Sequence, residues 1–122
     1  GRSPVSDGLT TQQFLASYNK LYANSAYPAD FQTALAYGAG AILEKAIKTS
    51  NSVEPAKLKE AALKMSGDTV IVSGEFKIDE TGFQQGMTPI VLQKQPDGLK
   101  IIAPDQVKTA EPIYPIPDWT KR

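Results

Sequence analysis

The sequence predicts a mixed α/β chain in which three helices are followed by short strands, a hairpin and a proline-rich tail. Three observations carry this. Apolar residues recur at helical spacing as far as Met65, then shift to strand-like runs and alternation from Val70 onward. Helix-start residues stand at Thr10, Asp30 and Glu54-Pro55. Pro96-Asp97-Gly98 separates two apolar runs, as a tight hairpin turn would.

Each element follows from local chemistry. Residues 1–9, with Pro4, Ser6, Asp7 and Gly8, read as a loop. Thr10 with Gln13 three residues on has the spacing of a capping box. Phe14, Leu15, Tyr18, Leu21 and Tyr22 then share one helical face, expected to be buried, and Asn24-Ser25 and Pro28 end the helix. Asp30 caps a second helix running to about Lys48. Its first half is small (Ala34, Ala36, Gly38, Ala39, Gly40, Ala41), and Ile42, Leu43, Ala46 and Ile47 continue an apolar stripe. Two interior glycines cost roughly 1 kcal/mol each relative to alanine, so close packing is expected against that face. Pro55 opens a third helix at the position where its missing N–H costs nothing. Leu58, Ala61, Ala62 and Met65 form its apolar side, and Ser66-Gly67 stops it.

Beyond Gly67 the pattern is extended. Val70-Ile71-Val72 is a buried run, Phe76 and Ile78 alternate with Glu75 and Lys77, and Asp79 to Gly82 is a turn. Ile90-Val91-Leu92 and Leu99 to Ile102 are the arms of the hairpin. From Glu111 to Arg122, Pro112, Pro115 and Pro117 exclude a central strand. This tail is expected to lie over a surface with Tyr114 and Trp119 tucked in; an exposed recognition element for a proline-binding module is the competing reading.

Composition narrows the function classes. The chain has 122 residues, 41% hydrophobic and 21% charged, with 13 basic and 13 acidic residues. That balance gives no electrostatic footprint for nucleic acid or an anionic membrane. Histidine and cysteine are both absent, which removes thiol nucleophiles, the usual zinc sites and the usual general base at neutral pH. Lack of cysteine does not fix the compartment; it fits, among others, a bacterial periplasmic protein large enough to need no disulfides. No span is apolar enough to cross a bilayer. The opening Gly1-Arg2-Ser3-Pro4, without initiator methionine or signal peptide, reads as processed, tagged or cut from something longer.

No residue set points to catalysis. Asp79 and Glu80 are adjacent and face opposite ways if extended, so they cannot straddle a substrate bond. With Gly82 they lack the alternating ligand spacing of a calcium loop and read as a plain turn. Gly38 and Gly40 follow no strand and lack a third glycine, so they form no dinucleotide fingerprint. Tyr37 reads as a packing residue. Lys57, Lys59, Glu60 and Lys64 read as a solvated helix face, and Glu44–Lys48 as an i, i+4 pair.

The order of motifs resembles the C-terminal portion of type I periplasmic solute-binding proteins, the Leu/Ile/Val-binding family. The resemblance runs from about Thr10 to Arg122. It comprises Phe14-x-x-x-Tyr18-x-x-x-Tyr22; Ala36-Tyr37-Gly38-Ala39 with Ala46-Ile47; Val53-Glu54-Pro55-x-x-Leu58 leading into Ala61-x-Leu63; and Asp68-Thr69 before Gly74-x-x-x-Ile78-Asp79-x-x-Gly82. It closes with Gln93, Gly98-Leu99-Lys100, Ala103-Pro104 and Tyr114-Pro115-x-Pro117-x-Trp119. Gly38 stands where the family often has an acid, Ile78 where it often has an aromatic, and Lys94 where many relatives carry Trp.

The resemblance implies a two-lobed α/β clamshell of mostly parallel sheets, of which this chain is the C-terminal fragment. Residues 1–9 would be a loop near an inter-lobe crossover. Residues 10–87 would supply helices and strand of one lobe, and residues 88–122 the final crossover, hairpin and tail. Function follows as an expectation: the extracytoplasmic substrate-binding component of an ABC importer for branched-chain amino acids or related small acids, in the periplasm or at the bacterial cell surface. The implied partners are the solute, a membrane permease and the missing N-terminal part of the same protein. Phe31 and Gln32, at the start of the second helix, are the candidate ligand contacts in the family's cleft. Burial of Phe31 against the first helix is the plainer reading. No cofactor, metal or enzymatic activity is expected. An orphaned apolar face would drive self-association of the fragment. The alternative from another class is a stand-alone α+β protein-interaction module.

Overall fold

A computed structural model describes residues 4–116 together with Asp118 and Thr120. Its elements are α1 (Thr11–Leu21), α2 (Phe31–Ser50), α3 (Pro55–Lys64), β1 (Thr69–Ile71), β2 (Gly74–Phe76), β3 (Val91–Gln95), β4 (Gly98–Ala103) and a short 3-10 turn, Asp105–Val107. The chain is thus mixed α/β. Among the described residues there are two small two-stranded sheets, β1–β2 and β3–β4, both antiparallel. The described residues fall into two compact units, 4–87 and 88–120.

In the first unit the helices begin where their caps dictate. The Gln13 amide donates to Thr10 Oγ1 at 3.3 Å, and the Thr10 amide donates to Gln13 Oε1 at 3.0 Å. Asp30 does the same with Thr33: the Thr33 amide donates to Asp30 Oδ1 at 2.8 Å, and the Asp30 amide to Thr33 Oγ1 at 2.9 Å. Each box satisfies orphan donors of a first turn and is worth about 1 kcal/mol. Pro55 occupies the first turn of α3. Asn51 closes α2 in the left-handed region at φ 48°.

The core of this unit lies between α2 and α3. Ala46, Ala61 and Met65 are buried, with Ile42, Leu58 and Phe76 packed against them. The two alanines let the helices approach closely, and burial of Met65 contributes roughly 1.5–3 kcal/mol. Gly38 faces inward, where a Cβ would stand 2.7 Å from Ile71 Cδ1 and 3.0 Å from Ser73 Oγ. Close packing on the small-residue helix is therefore met by the β1–β2 hairpin at Gly38. It is not met at Gly40, which has open space beside it.

The α1 face is less covered than its spacing predicts. Phe14 alone is buried and Tyr18 half-buried, whereas Leu15, Leu21 and Tyr22 are exposed. The reason is coverage: Tyr37 of α2 meets Phe14 (ring centroids 5.4 Å apart), and beyond that contact the Tyr18 and Tyr22 rings of α1 meet one another at a tilt, 4.8 Å apart. Tyr37 is thus a packing residue.

Residues 77–86 fold back on β2 through side-chain amides. The Lys77 amide donates to Gln84 Oε1, and Gln84 Nε2 donates to the Glu75 carbonyl. The Gln85 amide reaches the Lys77 carbonyl at 2.6 Å. Asp79 organises the turn, its Oδ1 accepting from the amides of Thr81 and Phe83 and from Thr81 Oγ1. It is a plain turn.

In the second unit β3 and β4 pair from Val91↔Ala103 to Gln95↔Gly98, with an irregularity between Val91 and Leu92. The tail is latched by glutamine side chains of β3 that bond its backbone. Gln93 presents its amide to Ile113, accepting from the Ile113 N–H at 2.9 Å and donating to its carbonyl at 3.1 Å. Gln95 Nε2 donates to the Glu111 carbonyl at 2.7 Å. Beyond this latch Tyr114 is 89% exposed, which corrects the expectation that it is tucked in. Its ring lies past the last anchored residue. Pro117 and Trp119 lie outside the described residues.

Candidate functional site

Phe31 and Gln32 occupy the first turn of α2. Phe31 is 72% exposed and Gln32 is also exposed, so Phe31 is not buried against α1.

A second cluster of polar groups gathers where the segment 4–10 crosses α2 and β1. Ser6 engages Val70 on the edge of β1 away from β2. The Ser6 amide donates to the Val70 carbonyl at 2.8 Å, and the Val70 amide donates to Ser6 Oγ at 2.9 Å. Gly8, at φ +77°, lies so close to α2 that a Cβ would stand 2.9 Å from the Tyr37 hydroxyl and 3.3 Å from the Ala41 Cβ. The Leu9 amide donates to that hydroxyl at 2.8 Å. Lys45, two turns beyond Tyr37, completes the attachment. Its Nζ donates to Asp7 Oδ2 at 2.7 Å and to Thr69 Oγ1 at 2.9 Å, and Thr69 is fully buried.

This cluster borders a shallow depression of about 300 Å³ lined by Asp7, Gly8, Ala41, Glu44, Lys45 and Lys48. Both cations in it are already neutralised, Lys45 by Asp7 and Lys48 by Glu44. Charge neutralised in place fits an anchor better than an anion-binding site. A similar hollow of about 310 Å³ lies between the end of α2 and α3, lined by residues that include Ser50, Lys57 and Glu60.

The hydrogen bond from Lys45, with that from Ser6, holds the Asp7 carboxyl below its ordinary value of 3.8. A carboxylate depressed in the folded state contributes stability above its unfolded pKa and loses it as pH falls through the folded value. Attachment of the segment 4–10 is therefore expected to persist at neutral pH and to weaken below about pH 3.8. The amide resonances of Ser6 and Asp7, followed by NMR from pH 6 to pH 2, check this. No change at those amides while the rest of the unit stays folded would refute it.

Sequence reasoning did not find the Asp7–Lys45–Thr69 cluster. Its one signal was a lysine inside the apolar stripe, between Ile42 and Ala46. Among the described residues no group of three or more His, Cys, Asp or Glu side chains is placed to hold a metal ion. Among them, too, no helix is long and apolar enough to cross a membrane. No family model, curated protein or solved structure matches the chain.

Proposed function

We propose that this chain is the C-terminal part of the extracytoplasmic substrate-binding component of an ABC importer, for branched-chain amino acids or related small amino or organic acids. The ordered motif series from Phe14 to the proline-rich tail carries this reading. The order of elements, three helices and then strands ending in a hairpin and an anchored tail, is consistent with it. So is the apolar surface left open on α1 and α2, which a larger two-lobed protein would cover. In this reading Phe31 and Gln32 face the solute cleft, and the protein acts in the periplasm or at the cell surface with a membrane permease as partner.

One observation favours the alternative of a stand-alone interaction module. Ile71 and Ser73 of the same unit close over Gly38, so part of the small-residue face finds its cover within the chain.

Thermal unfolding of this chain, and of the longest natural polypeptide that contains it, separates the two. A solute at 100 times its dissociation constant stabilises the state that binds it by about 2.7 kcal/mol. The importer reading expects one class of amino or organic acid to raise the midpoint of the longer polypeptide and leave that of the 122-residue chain unmoved. A panel to which neither responds would remove the reading's support.

A further inference from the structure

We propose that Gln93 and Gln95 form a docking strip for the main chain of an extended segment of another protein, and that the tail is its weakly held intramolecular occupant. The two glutamines stand at i and i+2 of β3, so their side chains leave the same face of the strand. Opposite them the tail runs antiparallel at the same step, Ile113 against Gln93 and Glu111 against Gln95. The Gln93 amide meets Ile113 as a residue of a neighbouring strand would, accepting from its N–H at 2.9 Å and donating to its carbonyl at 3.1 Å. Gln95 fixes that orientation. Its Nε2 donates to Gln93 Oε1 at 3.0 Å as well as to the Glu111 carbonyl at 2.7 Å, and the residue is only 9% exposed. The strip therefore reads N–H and C=O groups, which extended segments carry whatever their side chains.

The tail is a poor competitor for this strip. Residues 111–116 are all exposed, Tyr114 at 89% and Ile116 at 57%. With none of these side chains buried, the hydrophobic term that dominates most association is missing. Three hydrogen bonds remain, two of them exposed and in competition with water. The ion pair of Glu111 with Lys108 lies at the surface, where salt screens it. Against these stands the conformational entropy of fixing residues 111–113, a cost of the same order. Latched and released forms are therefore both populated. The pivot is Thr109, whose amide donates to the Ile101 carbonyl at 2.8 Å and whose hydroxyl accepts from the Ile101 amide at 2.9 Å.

The geometry selects the occupant. The groups that the strip holds span Glu111 to Ile113, a run of main chain that no single amino acid carries, so the partner is a peptide segment and not a small solute. A second copy's tail brings no contact that the chain's own tail lacks, and the tethered tail has the advantage of effective concentration. A segment of another protein adds side-chain contacts that the tail does not make, and so displaces it. This docking strip is independent of the solute reading, which places its contacts at Phe31 and Gln32.

The test is an NMR titration of the isotope-labelled 122-residue chain with an acetylated, amidated peptide of the sequence of residues 109–114. A latch near balance on a short tether, whose effective concentration is millimolar, sets half-saturation by this peptide at about 1–10 mM. The side-chain amide resonances of Gln93 and Gln95 are expected to shift saturably, while the chain's own Ile113 amide moves to its open-chain position. The same peptide methylated on its isoleucine nitrogen lacks the donated N–H and is expected to bind at least about tenfold more weakly. Gln93→Leu is expected to weaken the unmodified peptide by a similar factor, with the resonances of β3 and β4 keeping their dispersion. Absence of any shift at the two side-chain amides across that range overturns the proposal. So does undiminished binding of the methylated peptide, which would show that the main chain is not what the strip reads.

Discussion

Gly86→Ala is expected to destabilise the first unit by about 3 kcal/mol, lowering its thermal midpoint by roughly 15 °C. A Cβ on Gly86 would stand 2.5 Å from the Glu75 carbonyl oxygen and 2.9 Å from the Lys77 Cβ. The first of these is backbone and cannot swing aside. The same backbone stretch is pinned from both sides. The Gly86 amide donates to Gln84 Oε1 at 3.0 Å, and the Gln85 amide donates to the Lys77 carbonyl. Displacing Gly86 therefore releases the side-chain amide of Gln84 that holds residues 75 and 77. Gly40→Ala makes the control. It adds the same methyl group in open helix and is expected to stabilise the unit by up to about 1 kcal/mol. Opposite signs from one chemical change, read by thermal denaturation, test the placement of both glycines.

Lys45→Met is expected to cost about 2 kcal/mol, or roughly 10 °C in midpoint. The substitution keeps the apolar stem and removes the ammonium. The Thr69 hydroxyl, on a residue with 0% exposure, then loses its partner, and the Asp7 carboxylate loses its cation. Most of the cost comes from the stranded hydroxyl, because the ion pair keeps partial solvent access (29% and 26% exposed side chains) and is screened. A double-mutant cycle with Asp7→Asn is expected to return a coupling of about 1 kcal/mol. Additive losses would show that Asp7 and Lys45 act independently.

These two sites mark the boundary of what was legible in the sequence. Helix starts were legible because a cap is a local device: Thr10 with Gln13, Asp30 with Thr33 and Pro55 act within four residues. The β3–β4 hairpin was legible for the same reason, since its turn residues stand between its apolar arms. The β1–β2 hairpin was not recognised as such. Its strands have three residues each, and Val72 at the turn continues the apolar run of Val70-Ile71. Residues that meet across long separations were not legible at all. Asp7 and Lys45 lie 38 positions apart, and Lys45 and Thr69 lie 24 apart.

Exposure was the least legible property. Periodicity tells which residues of α1 share a face, but coverage depends on what lies opposite. Leu21 and Tyr22 share the face of Phe14, yet only Phe14 reaches Tyr37. The tail shows the same limit. Its prolines exclude a ladder strand, whereas its anchoring by the amides of Gln93 and Gln95 depends on two glutamines aligned on one face of β3. Phe31 and Gln32 were named from the resemblance, and they stand exposed at the head of α2.

Calorimetric titration of leucine, isoleucine and valine into the longest natural polypeptide containing this chain, and into its Phe31→Ala variant, examines the solute-binding proposal at its site. We expect saturable one-site binding of at least one of the three, weakened in the variant while its thermal midpoint without solute stays unchanged. Absence of binding for all three, and for a panel of related small carboxylates, would overturn the proposal; unweakened binding by the variant would remove Phe31 from the cleft.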